Sequence, residues 1–300
     1  MIYPSAILTA DWHIRDTTPF CRKDDFIATL WAKIEFIFKK AKEYKCPILI
    51  AGDLGDKPEW KNESLSRFIE LVDEYNIKIF VVPGQHDLPN HNRTLFFKSG
   101  LCTLEEAKSI SIIRKIPNSN NKTKFTLSGN WFGDNSHSFI SSNSPSVLLI
   151  HKMVVNSKDL YPGQNADSAI AILKKNPQYR LIVCGDNHQG FSYEYKGRLL
   201  VNCGNILRDD IDQKQDRPCV WLWYSEHNIA KRLYLPISNE VFKEENEIKE
   251  IDDNLNSYVK KLQKEYSQGL SFQKNLESFL SQHKIGKNVC DKIWKSLGES

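Results

Sequence analysis

Five short motifs follow one another along this chain of 300 residues: Asp11-Trp12-His13, Gly52-Asp53, Gly84-Gln85-His86-Asp87, a lone His151, and Gly185-Asp186-Asn187-His188. Their carboxylates, imidazoles and one amide are donors of the type that hold divalent cations, and there are enough of them for two ions. A pair of such ions activates water and neutralises phosphoryl oxygens, so the chemistry these residues point to is phosphoester hydrolysis. An Asp after an apolar run is common and means little alone. Five such motifs in order, each at the end of a run of strand length, are a much more specific signal.

The elements that must position them read as follows. Apolar runs of strand length lie at Ala6–Thr9, Ile48–Ala51, Ile77–Val82, Val147–Ile150 and Leu181–Cys184. Between the first three, Phe26, Leu30, Ile34 and Ile37 or Phe38, and then Leu65, Phe68 or Ile69, and Val72, recur at helical spacing. Strand–helix alternation predicts βαβ units, with ligand groups gathered at the carboxyl ends of the strands. After His188 the pattern turns to hairpins, Phe191–Tyr195 with Arg198–Asn202 and Val220–Tyr224 with Ile229–Leu235. The expected fold is α/β: two facing mixed sheets flanked by helices over residues 1–238. Apolar stripes at Ile251, Leu255, Tyr258, Leu262 and Tyr266, and at Ile285, Val289, Ile293 and Leu297, predict a small helical appendage over residues 239–300.

The order of motifs resembles the calcineurin-like metallophosphoesterases, whose pattern is D-x-H, G-D, G-N-H-D/E, H and G-H-x-H. The resemblance covers the first two thirds of the chain and implies a two-metal site bridged by Asp53. It places Asp11, His13 and His188 on one ion and Gln85, His151 and Asp186 on the other. It also implies that His86 protonates the leaving oxygen and that Asp87 orients the His86 imidazole. Two positions depart from the pattern: Gln85 stands for Asn, and Asp186 for the first His of G-H-x-H. An anionic oxygen in place of a ring nitrogen favours Mn²⁺, with Mg²⁺ next, over Zn²⁺. His91, His137, His227 and His283 fall outside the register and read as ordinary side chains. Asp56 reads as a loop carboxylate.

Within that family, Thr9–Asp16, Gly52–Asp56 and Val82–Asp87 are similar to the SbcD-type DNA exonucleases, phage-encoded members in particular. This implies 3′–5′ exonuclease and single-strand endonuclease activity in DNA repair, recombination or replication. It also implies an SbcC-type ATPase partner, docked through the C-terminal helices. Arg15, Arg22, Lys23 and Lys57, with Trp60, His91 and Arg93, follow the first three motifs, where cations meet phosphates and an indole can stack a base. Asn205 and Arg208, in the turn after the last motif, complete the expected DNA contacts. The competing readings are a small-molecule phosphodiesterase or phosphatase, and a non-catalytic scaffold subunit of an ATPase complex.

Composition excludes little else. A formal charge of +4 permits a nucleic-acid partner without requiring one. Seven cysteines with no C-x-x-C pair argue against a disulfide framework and for a reducing cytoplasm, that of a host if the gene is viral. No apolar stretch approaches membrane-spanning length. The sequence leaves a homodimer open.

Overall fold

A computed structural model of the chain describes residues 3–114, 125–133, 145–156, 166–238 and 240–244. The helical stripes expected after Ile251, together with His137 and His283, lie outside the described residues.

The chain opens with β1 (Ala6–Thr9), α1 (Phe26–Tyr44), β2 (Ile48–Ile50), α2 (Asn62–Tyr75) and β3 (Ile79–Val81). Next come α3 (Gly100–Glu106), β4 (Ser111–Ile112) and β5 (Thr126–Asn130). The stretch β6 (Ser146–His151), β7 (Val154–Val155), β8 (Asp167–Ser168), α4 (Ala169–Lys175) and β9 (Leu181–Gly185) leads to two hairpins. These are β10 (Phe191–Tyr195) with β11 (Arg198–Asn202), and β12 (Cys219–Tyr224) with β13 (Ile229–Tyr234). Among the described residues, one sheet runs β13-β12-β1-β2-β3-β4 and the other β10-β11-β9-β6-β5. The two hairpins therefore part company: β11 lies parallel to β9, whereas β12 crosses to pair antiparallel with β1.

Side-chain alternation explains the layering. Leu8, Leu49 and Phe80 from the first sheet meet Val147, Leu149, Leu181, Val183 and Val201 from the second, with Trp221 and Trp223 between them. The alternate residues Ile7, Ile48, Ile50, Ile79 and Val81 face outward onto the helices. There Phe26, Leu30, Ile34, Ile37 and Phe38 form the buried stripe of α1, and Phe68 of α2 meets Phe38 edge-on at 5.8 Å. On the far side Leu148, Ile182 and Leu200 pack under Ile172 and Leu173 of α4. Strands buried on both faces read as continuous apolar runs, which is why five of them were visible without a structure.

Helix ends are set by local chemistry. The Asp25 carboxylate accepts from Ala28 N at 3.0 Å to cap α1. That helix stops where Lys45 turns left-handed (φ 51°), and α2 stops where Asn76 does the same (φ 50°). No described helix is long and apolar enough to cross a membrane.

Candidate metal centre

The first two motifs are corners of adjacent parallel strands, and the corners are tied together. Asp11 N donates to Gly52 O (3.0 Å), Trp12 N and His13 N to Asp53 O (2.9 and 3.1 Å), and Ile14 N to Leu54 O (2.9 Å). The chain turns through left-handed backbone at Asp11 (φ 52°), His13 (φ 45°), Asp53 (φ 50°) and Asp186 (φ 84°). Such positions cost on the order of 1 kcal/mol each for a residue with a Cβ, and here the cross-strand bonds hold them. Trp12, fully buried, pins the first corner by donating its indole N–H to Thr9 Oγ1 at 2.8 Å. Two glycines make room. A Cβ on Gly84 would lie 2.1 Å from Asp53 Oδ1, and one on Gly52 would lie 2.1 Å from His151 Nδ1.

The corners bring together side chains from both sheets. Three sets of ligand atoms each lie within 4.8 Å of one another: Asp11, His13 and His188; His13, Asp53 and His86; Asp11, Asp53 and His151. His13 Nε2 and His188 Nε2 face each other at 3.3 Å. His151 Nδ1 donates to Ala51 O at 2.8 Å, which leaves Nε2 pointing at Asp53 Oδ2, 3.1 Å away. In a neutral imidazole that is a lone pair facing a carboxylate, an arrangement that calls for a proton or a cation between them. Burial would lower the His151 pKa, but the Asp53 and Asp11 carboxylates overcome it and push it up to about 10. His13, flanked by two other imidazoles, is driven by burial down to about 3. Burial likewise raises Asp11, and the Asp53 and Asp186 charges add to it, although His151 and the Asp186 N–H oppose the rise. Converging nitrogens, crowded buried carboxylates and the unpartnered Oε1 of Gln85 fit divalent cations.

Gln85 and Asp186, the two departures from the expected pattern, meet each other: Gln85 Nε2 donates to Asp186 Oδ1 at 2.8 Å. Asp186 N in turn donates to both oxygens of Asp11, each at 3.1 Å. The loop that carries His188 is braced from behind, with Asn202 Nδ2 bonded to Asn187 O (2.6 Å) and Gln189 O (2.9 Å), and Asn205 N to His188 O (3.3 Å).

His86 is exposed, and its backbone N–H donates to Asp53 Oδ1 at 2.9 Å. Its Nδ1 donates to the backbone carbonyl of Asp56 at 3.0 Å, which fixes the proton there and leaves Nε2 for the site. This corrects the expectation for Asp87. Its carboxylate is fully buried and turned the other way, accepting from Gly55 N (2.9 Å), Gly84 N (2.9 Å) and Leu54 N (3.3 Å). Asp87 joins two motif loops, and Asp56, through its main chain, orients the imidazole. No sequence signal distinguishes a backbone carbonyl, so Asp56 was legible only as a carboxylate. That carboxylate is ion-paired with Arg15, which also reaches Asp209 at 3.3 Å.

The expected DNA contacts divide. Lys57 and Arg93 are exposed. Trp60 is half-buried, edge-on to Phe68 at 6.1 Å and close against Gly55 and Gly100, so part of its ring serves the core. Arg22 (3% exposed) and Arg208 (4% exposed) point inward, which corrects their assignment to substrate. Arg22 pairs with Asp24 (2.7 Å), donates to Arg208 O and lies over Phe26 and Phe242. Arg208 donates to Lys214 O (3.0 Å) and Ser238 O (2.5 Å).

The profile of the family described as calcineurin-like phosphoesterase matches residues 5–190. No curated protein matches the chain. Among solved structures, the chain is similar to TT1561 of Thermus thermophilus (12% identity, TM-score 0.49, covering 78% of this chain and 99% of that one). It is also similar to a novel archaeal phosphodiesterase (13%, TM-score 0.41, 77% and 99%). A third is the phosphopantetheinyl hydrolase of Mycobacterium tuberculosis (12%, TM-score 0.49, 77% and 96%).

Proposed function

Because the chain belongs to the calcineurin-like phosphoesterase family, we propose that it hydrolyses phosphodiester bonds of DNA, as a 3′–5′ exonuclease with single-strand endonuclease activity. The observation that carries the hydrolytic reading is the convergence of His13, Asp53 and His86, with His86 left open to solvent. Asp11, His13 and His188 would hold one divalent cation, and His151, Gln85 and Asp186 a second, with Asp53 between them. Mn²⁺ is the proposed ion, and Mg²⁺ the alternative. Cations held there supply acidified water and neutralise the phosphoryl oxygens.

The protein's own groups do the rest. The Asp53 carboxylate and the His86 N–H, bonded at 2.9 Å, set the imidazole beside the cluster. Water gives up a proton to solvent and adds to phosphorus, the bond from phosphorus to the leaving oxygen breaks, and protonated His86 gives its Nε2 proton to that oxygen. The Asp56 carbonyl keeps the other ring nitrogen protonated throughout. The motif phrases that resemble SbcD-type nucleases support DNA as the substrate, and the outward Lys57 and Arg93 suit its phosphates. An SbcC-type ATPase is the proposed partner, through residues 239–300.

A second reading, hydrolysis of a small phosphodiester, is favoured by a cavity of about 410 Å³ that Asp186 and His151 border. One assay separates the readings. Labelled duplex and single-stranded DNA and bis(p-nitrophenyl) phosphate are each incubated with Mn²⁺, with the intact protein and with His86→Ala. DNA cleavage that greatly exceeds ester cleavage and collapses in the variant supports a nuclease. Comparable rates on both substrates refute it, and no turnover of either leaves a non-catalytic scaffold.

A further inference from the structure

The cavity beside the metal centre has a composition of its own. Among the described residues its apolar wall is Phe132, Ile150, Met153 and Ile172. Phe132 lines the cavity with its ring edge-on to His151 at 6.4 Å and to His91 at 6.0 Å. Trp131, the preceding residue, donates its indole N–H to Ile113 O at 2.9 Å and packs on the Phe96 ring at 4.9 Å. Lys152 and Lys175 both reach Asp167 (2.5 and 3.8 Å), and Asp186 in the same lining brings the carboxylates to two against two lysines. Asn176, 1% exposed, commits Nδ2 to Ile172 O at 2.9 Å and keeps Oδ1 without a partner.

We propose that this cavity is a nucleobase subsite: it seats the base of the nucleotide whose phosphate lies at the cluster. Its volume of about 410 Å³ falls in the range of small-ligand pockets and suits one nucleoside. The aromatic ring supplies a stacking face. An amide oxygen lacking a donor suits the exocyclic amine of adenine or cytosine. Cluster and cavity share His151, and Asp186 lines the cavity while its N–H bonds Asp11 of the cluster, so a phosphate at one places its sugar and base at the mouth of the other. The subsite rests on the phosphodiesterase reading for its chemistry, but it does not require the substrate to be DNA.

Calorimetry on the full chain with Mn²⁺ tests it, using dAMP, deoxyribose 5-phosphate and inorganic phosphate as probes. In the intact protein dAMP should bind about tenfold tighter than the abasic phosphate, the worth of one stacked base. Phe132→Ala should erase that difference, and so should Ile172→Trp, which fills the cavity instead of opening it. Equal binding of dAMP and deoxyribose 5-phosphate to the intact protein overturns the proposal, as does an advantage for dAMP that survives both variants. A single-stranded oligonucleotide is then added as competitor. If it fails to displace bound dAMP, the cavity is still a nucleotide site, and it is the DNA reading that falls.

Discussion

Among the described residues two groups of charge are buried, and they differ in where their partners come from. At the strand ends, Asp11 and Asp53 crowd against imidazoles, with a lone pair facing a carboxylate at His151 and an unpartnered oxygen on Gln85. Beneath the turn at residues 203–210, Arg22, Lys33 and Arg208 gather with Asp24 as their acidic neighbour. Yet the fold supplies their acceptors: Lys33 Nζ donates to Ile206 O at 2.8 Å, and each arginine bonds a backbone carbonyl. The cationic group is complete as it stands, whereas the anionic one has donor atoms left over. Burial of charge does not mark a functional site. Unmet coordination does.

If that distinction holds, substitutions in the first group should abolish chemistry and those in the second should unfold the protein. The largest effect is expected for Asp53→Asn, which removes the carboxylate that the sets containing His86 and His151 share. Hydrolysis should fall about a thousandfold, and Mn²⁺ binding in calorimetry should weaken with it. His86→Ala should cost about a hundred- to a thousandfold in turnover while Mn²⁺ still binds. Were both variants to lose folding rather than turnover, the contrast between the two groups would be broken.

For the cationic group the readout is stability. Arg208→Met leaves Lys214 O and Ser238 O without their donor, and should lower the unfolding free energy by about 2–3 kcal/mol in denaturant titration. Weaker DNA binding at unchanged stability would restore Arg208 to the substrate contacts. Lys33 offers a finer test. Burial, reinforced by Arg208 and Arg22 and opposed by Asp24, pushes its pKa down to about 7. Above that pH the folded chain carries a neutral Lys33, while in the unfolded chain the amine stays protonated to about pH 10. Folding then releases a proton, so stability due to this group is greatest above pH 10, falls as pH drops toward 7, and is flat below. Relative to Lys33→Met, the intact protein should gain up to about 1.4 kcal/mol per pH unit across that window.

The sequence was most legible where one residue type can do only one thing. Doubly buried strands and the stripe of α1 follow from apolar periodicity. The motif order follows from ligand chemistry at strand ends. β5 escaped because Ser128, Gly129 and Asn130 interrupt its apolar pattern, although all three are buried; a Cβ on Gly129 would lie 2.6 Å from Ile113 O. β4, two residues long, has no period to read. Direction was the other blind spot. Adjacency to His86 suggested that Asp87 orients it, but the carboxylate follows its own backbone toward three amides. Arg22 and Arg208 were read as solvent-facing because charge normally is. The left-handed corners at Asp11, His13 and Asp53 left no trace in residue type, since nothing in an Asp or a His announces its φ.

The smallest expected effect bears on the anionic group itself, where Gln85 and Asp186 replace the amide and imidazole of the family pattern. Had each drifted independently, their side chains would have no reason to meet, but they share a hydrogen bond of 2.8 Å. That bond holds the Asp186 carboxylate in place and turns Gln85 Oε1 away from it, so the longer amide and the shorter acid act as one unit. Gln85→Asn alone shortens the donor and Asp186→His alone removes the acceptor. Each should weaken Mn²⁺ binding by somewhat less than tenfold. The double variant recreates the family's amide–imidazole set and should recover most of the loss, a coupling of about 1 kcal/mol. Its preference should also shift toward Zn²⁺, because a ring nitrogen has replaced an anionic oxygen. Strictly additive losses, with Mn²⁺ still preferred, would mean that the two substitutions arose apart and that their contact does not tune the metal.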